Sequence, residues 1–238
     1  MDRRQPRLGL PGRPFDCRRS GTTSDWAEPM MTNFATEETW SGGHYEIEIE
    51  LGVSSDERLG RALDRIWSHP SLQGCCFSRD QEPQAQVRVI PGQHRLEDPL
   101  YGLAGLPNGA TAACGTYVCR LQSEGGQPAR DLLSFYTPLG SLARAYDIGK
   151  YPFADHERAA QWRPEVDRWL VELGRFVFER VEFDLALVGW EVDFPRTSAE
   201  SVKRSGVPAE RFDGYLWRAG PGLEWHQATK PGVIRLRR

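Results

Sequence analysis

The run His44-Tyr45-Glu46-Ile47-Glu48-Ile49-Glu50-Leu51 alternates polar and apolar residues without a break. In an extended strand successive side chains point to opposite faces. His44, Glu46, Glu48 and Glu50 therefore share one face, and Tyr45, Ile47, Ile49 and Leu51 the other. Unpaired carboxylates are costly to bury. The pattern thus predicts a sheet with one face on the core and one face in water. Arg88, on a second alternating run (84–90), is expected to lie across from the glutamates.

Other elements follow from local chemistry. Ser54-Ser55-Asp56-Glu57 reads as a capping box with Ser54 as N-cap. Leu59, Ala62, Leu63, Ile66 and Trp67 then form one apolar stripe of a helix that Pro70 stops. The apolar runs 101–106 and 110–121 flank Pro107-Asn108-Gly109, a hairpin signature. A strand is expected at 131–137, a short helix at 139–146 and a loop at 147–161. Pro164 suits the first turn of a long helix whose buried face is Val166, Trp169, Leu170, Leu173, Phe176, Val177 and Val181. Gly174 within it predicts a close neighbour. The strand 183–194 is apolar on both faces at its centre, as a central strand would be. A short helix near 198–204 and a hairpin around Gly220-Pro221-Gly222 complete the chain.

This order predicts an α+β fold. It matches a ferredoxin-like (split βαβ), mostly antiparallel sheet with two main helices on one face, an inserted hairpin and a C-terminal extension. Residues 1–42 are rich in Arg, Pro, Gly, Ser and Thr in their first part and lack periodicity, so they are read as a disordered tail, with Met30 or Met31 as an alternative start. Residues 43–238 are read as a single domain, with 196–238 as its extension.

Composition narrows the function classes. Formal net charge is -3, so charge favours neither nucleic acid nor an anionic membrane. The odd, sparse set Cys17, Cys75, Cys76, Cys114 and Cys119 is not a disulfide framework, and no signal peptide or membrane span is read. A cytoplasmic location is the expectation.

His44, Glu46 and Glu48 have the chemistry of an acid/base or metal site. However, strand neighbours two apart stand about 7 Å from each other, and a solvated face is the reading adopted. If Cys114 and Cys119 lie on one regular strand they fall on opposite faces and cannot share an ion, although a bulge would change that parity. Asp155-His156-Glu157 reads as a polar helix approach. The glycines from 102 to 109 lack a phosphate-loop pattern, and Leu139-Gly140-Ser141-Leu142-Ala143 fails the nucleophile elbow at its last position. Tyr215, Trp217, Trp225 and His226 are the candidate binding residues. An even-length loop would set Leu216 opposite Trp225 and Trp217 opposite Glu224, whereas an odd-length loop would bring Tyr215 toward Trp225. Asp131, Tyr136, Lys150 and Tyr151 could line a pocket beside them.

Neither a metal nor another cofactor is expected. The sequence reads as a non-catalytic module binding a protein or small ligand, such as a regulator, inhibitor or immunity-type factor. The alternative is a small hydrolase or transferase with a carboxylate/histidine site.

Overall fold

The computed structural model describes residues 33–122, 128–148, 156–192 and 197–230. β1 (His44–Val53) runs extended as its alternation requires, and α1 (Asp56–Trp67) follows. The N-cap of α1 is Ser55 rather than Ser54, with Arg58 N–H donating to Ser55 Oγ at 3.4 Å. Ser54 is occupied elsewhere: its hydroxyl donates to Asp131 at 2.8 Å. The expected stripe Leu59, Ala62, Leu63, Ile66 and Trp67 is buried throughout. Full burial of a Leu or Ile side chain is worth about 1.5–3 kcal/mol, so this face is what holds α1 to the sheet.

Next comes β2 (Leu72–Cys76), which the sequence reading passed over. Gly74 lies at positive φ, and the pairing register shifts between Gln73 and Cys76. A bulged strand shows no clean alternation. The expected strand at 84–90 is not one. A 3-10 turn, Pro83–Ala85, overlaps its start. The Gln86 side chain bonds the backbone of Ser78 and Gln81, and Val89 N–H donates to Cys75 O at 2.8 Å. The alternation there belongs to a surface segment beside the edge of the sheet. Arg88 is exposed, and the glutamates of β1 find other partners.

β3 (Leu100–Gly105) and β4 (Thr111–Leu121) form the hairpin expected at Asn108-Gly109. β5 (Arg130–Pro138) leads directly into α2 (Leu139–Ala145). α3 (His156–Phe178) begins well before Pro164, which lies inside it. A proline within a helix removes one N–H donor and costs about 3 kcal/mol. Burial of Val166, Trp169, Leu170, Leu173 and Val177 offsets this. Gly174 has the expected close neighbours: a Cβ there would stand 2.8 Å from Ile47 Cδ1 and 2.9 Å from Leu216 Cδ2. The remaining elements are β6 (Leu185–Trp190), α4 (Ala199–Ser205), β7 (Gly214–Ala219) and β8 (Gly222–His226).

Among the described residues, eight strands form one antiparallel sheet in the order β2-β3-β4-β5-β1-β6-β7-β8. The fold is α+β, and its sheet is larger than the four-stranded ferredoxin-like arrangement. α1, α2 and α3 pack with Tyr45, Ile47, Ile49 and Leu51 into one core. On the other face Leu132, Leu185, Leu187 and Tyr215 pack with Val192 and with Val202 of α4. Ahead of β1, within the first 42 residues, Phe34 is fully buried and its ring meets Trp40 edge-on. Among the described residues no helix is long and apolar enough to cross a membrane.

Candidate functional site

β1 lies between β5 and β6, so its residues from Tyr45 to Glu50 have a neighbour on both sides. Glu46 stands opposite Tyr136 and Gly189, Glu48 opposite Ser134 and Leu187, and Glu50 opposite Leu132 and Leu185. The three carboxylates are only 1%, 5% and 5% exposed. The expectation of a wet sheet face is overturned: the chain following β6 covers it. Residue type announces the cost of burying a carboxylate but not whether distant chain will meet that cost.

Each carboxylate is hydrogen-bonded. Glu46 accepts from the Tyr117 hydroxyl at 2.9 Å and from Val192 N–H at 3.0 Å. Glu48 accepts from Ser134 Oγ at 3.0 Å. Glu50 accepts from Arg130 Nη1 at 2.6 Å and from Ala199 N–H, the first residue of α4, at 2.7 Å. Much of the stripe therefore serves as a set of internal anchors.

The burial of Glu46 has a chemical consequence. Burial first, and then the neighbouring Glu48, push its carboxyl up to about 8, against the donors Tyr117 and Val192. Burial also raises the Tyr117 phenol, with Glu46 adding to the effect. Burial lowers the His44 imidazole below its ordinary value, although Glu191 opposes this. The His44 ring lies 4.7 Å from that of Tyr136 and 6.3 Å from that of Tyr117. A carboxyl that exchanges its proton near neutrality, beside a phenol and a neutral imidazole, has the elements of general acid/base chemistry. Among the described residues no group of three or more His, Cys, Asp and Glu side chains is arranged to hold a metal.

The opposite face of the sheet holds a second polar group that sequence reading missed. The Tyr45 hydroxyl bonds Asp167 and accepts from Arg163 Nε at 2.7 Å. All three side chains are buried. Burial pushes the Asp167 carboxyl up to about 6, even with Arg163 opposing. Tyr45 also packs edge-on against Trp162 and Trp190. The signal was present in the sequence: Arg163 and Asp167, four apart, interrupt the apolar face of α3.

The hairpin residues divide between the two faces. Leu216 pairs with Trp225 and Trp217 with Glu224, the even-loop register. Tyr215, Trp217 and His226 therefore share the face that carries the glutamates. Tyr215 and Trp217 pack into its apolar cluster. Trp225 points the other way, lies across Gly214, and packs against the main core. The structure does not gather the four around one point. Asp131 holds the start of α1, accepting from Ser54 Oγ, Ser55 N–H and Arg120 Nε at 2.8 Å each. Tyr136 lies on the glutamate face. Lys150, Tyr151, Asp155 and the side chains of His156 and Glu157 lie outside the described residues. Cys75, Cys76 and Cys114 are buried and Cys119 is exposed, with Cys114 and Cys119 on opposite faces of β4.

No family model, no curated protein and no solved structure matches this chain.

Proposed function

We propose that this protein is a non-catalytic α+β module that binds a protein partner, as a regulator, inhibitor or immunity-type factor does. The carrying observation is a set of exposed apolar side chains beside the edge strand β2. Val87 is 90% exposed, Ile90 54% and Phe77 45%. The backbone presenting them is held in place. Gln86 bonds Ser78 and Gln81, Val89 bonds Cys75, and the Phe77 ring packs against His94. Large apolar side chains displayed on a held backbone suit a partner's surface better than solvent. The anchoring role of Glu46 and Glu50 is in keeping with this reading, since it gives the buried carboxylates structural work. The run β4-β5-β1-β6 with α1 and α3 supports reading a ferredoxin-like nucleus inside the larger sheet.

The test is affinity capture of the full chain from cells that make it, with Val87→Asp and Ile90→Asp as controls. A stoichiometric protein retained by wild type and lost with either substitution is the expected result. Equal retention by wild type and both variants would remove the surface from consideration.

One observation favours a second reading. Glu46 carries a proton near neutrality beside His44 and Tyr117, as a small hydrolase or transferase would require. Turnover in a broad ester, amide and glycoside screen that disappears in Glu46→Gln would establish this reading in place of the first.

A further inference from the structure

At the end of β1, between α1 and the turn that follows α3, lies a cleft of about 400 Å³. Arg58, Arg61, Arg180 and Arg218 line it, together with Glu50, Glu182 and Asp184. The charges do not cancel within the cleft. Glu50 is taken by Arg130, which lies outside the lining, and by Ala199 N–H. Glu182 and Asp184 are both taken by Arg218, at 2.8 and 3.7 Å. Arg61 pairs with Glu57 at 3.2 Å, leaving most of its side chain in solvent. Among the described residues no carboxylate pairs with Arg58 or Arg180.

Arg58 is nevertheless fixed. Its Nη1 donates to Leu51 O at 2.6 Å and to Val53 O at 3.3 Å. These contacts use one nitrogen and leave the rest of the guanidinium edge for another acceptor. The strand is shaped for this approach. Its pairing shifts between Glu50 and Gly52, Gly52 sits at φ +81°, and a Cβ there would come 3.2 Å from Arg58 Nη1. A side chain at position 52 would be strained and would press on the guanidinium. Arg180, just past the C-terminus of α3, is favoured there by the helix dipole. The dipole does not explain its sharing a cleft with a second guanidinium that lacks a carboxylate.

We propose that this cleft binds a small phosphate monoester, whose phosphate sits between the guanidinium groups of Arg58 and Arg180. Guanidinium forks match the oxygens of a phosphate in geometry and charge. The volume suits a phosphorylated sugar or a molecule of similar size. Glu182 and Asp184 remain acceptors for hydroxyl groups on its body. This site is independent of the Phe77, Val87 and Ile90 surface, and neither depends on the other.

Calorimetric titration of the full chain at constant ionic strength tests the proposal, with inorganic phosphate, ribose 5-phosphate and ribose as probes. Saturable binding of both phosphate probes, tighter for the ester, and none of ribose is expected. Arg180→Gln, an exposed position that leaves the fold intact, weakens both by about tenfold, as does Arg58→Gln. Arg204→Gln, outside the cleft, leaves them unchanged. Failure of both phosphate probes to saturate overturns the proposal. So does equal affinity in wild type and Arg180→Gln, or binding of inorganic phosphate with exclusion of the ester. An aspartate-rich peptide that binds through Arg180 when neither phosphate probe does also overturns it, assigning the cleft to an acidic protein segment instead.

Discussion

Val192 donates its backbone N–H to the Glu46 carboxyl at 3.0 Å, joining residues 146 positions apart in sequence. The bond from Ala199 N–H to Glu50 spans 149 positions. Two carboxylates of one central strand thus hold the chain that follows β6 against the sheet. A stripe that looked like a solvated surface is the seam between two parts of the fold.

The Glu46 seam depends on pH. Its carboxyl rises from an ordinary 4.5 to about 8 on folding. The folded state therefore holds a proton that the unfolded state has released. The contribution of this group is fully present below about pH 4.5 and is lost as pH rises through about 8. Urea denaturation of wild type and Glu46→Gln between about pH 5 and about pH 9 checks this. The glutamine variant is expected to lose less stability over that range. A parallel slope in the two proteins would contradict the assignment.

Glu50 anchors α4 through its first N–H. Glu50→Ala leaves that N–H without its acceptor and Arg130 without its carboxylate, at a cost of about 1–3 kcal/mol. Amide exchange within residues 199–205 should accelerate before the rest of the sheet is affected. Glu200→Ala is the comparison. Its side chain is exposed and 4.0 Å from Arg204, and it should change stability by less than about 0.5 kcal/mol.

Gly174 lets α3 approach β1 and β7. Helix propensity alone favours alanine over glycine by about 1 kcal/mol. Overpacking against Ile47 and Leu216 costs about 1–3 kcal/mol. Gly174→Ala should therefore lower the urea midpoint, and a raised midpoint would mean that the helix and sheet separate freely.

Tyr45→Phe removes the hydroxyl that bonds Asp167 and Arg163. The expected loss is about 1–3 kcal/mol. It should grow above pH 6, because Asp167, raised to about 6, ionises there and its charged form is the one the hydroxyl supports. Denaturation curves of the two proteins on either side of that pH provide the measurement.

Thiol accessibility should separate the described cysteines. Burial, first among the causes, pushes Cys75 up to about 12 and Cys76 up to about 11, and Cys114 is fully buried. Brief alkylation of the native protein followed by peptide mapping is expected to modify Cys119 well ahead of these three. Equal labelling of Cys114 would show that β4 opens readily.

Interactions short in sequence were legible from residue types alone. Alternation from His44 to Leu51 determined an extended strand with two chemically distinct faces. The apolar spacing from Leu59 to Trp67 determined the buried side of α1, and the glycines flanking Pro221 announced a hairpin, whereas the structure selected the even-loop register that sets Leu216 opposite Trp225. These depend on neighbours two to four apart or across one turn, where geometry follows from the local backbone. Only the tertiary structure decided that the glutamates are covered. Their partners include backbone N–H groups of Val192 and Ala199, which every residue except proline carries and which leave no mark in a sequence. The cleft at Arg58 and Arg180 was hidden for a related reason. Each arginine reads as an ordinary surface charge until α1 and the turn after α3 bring the two to one place.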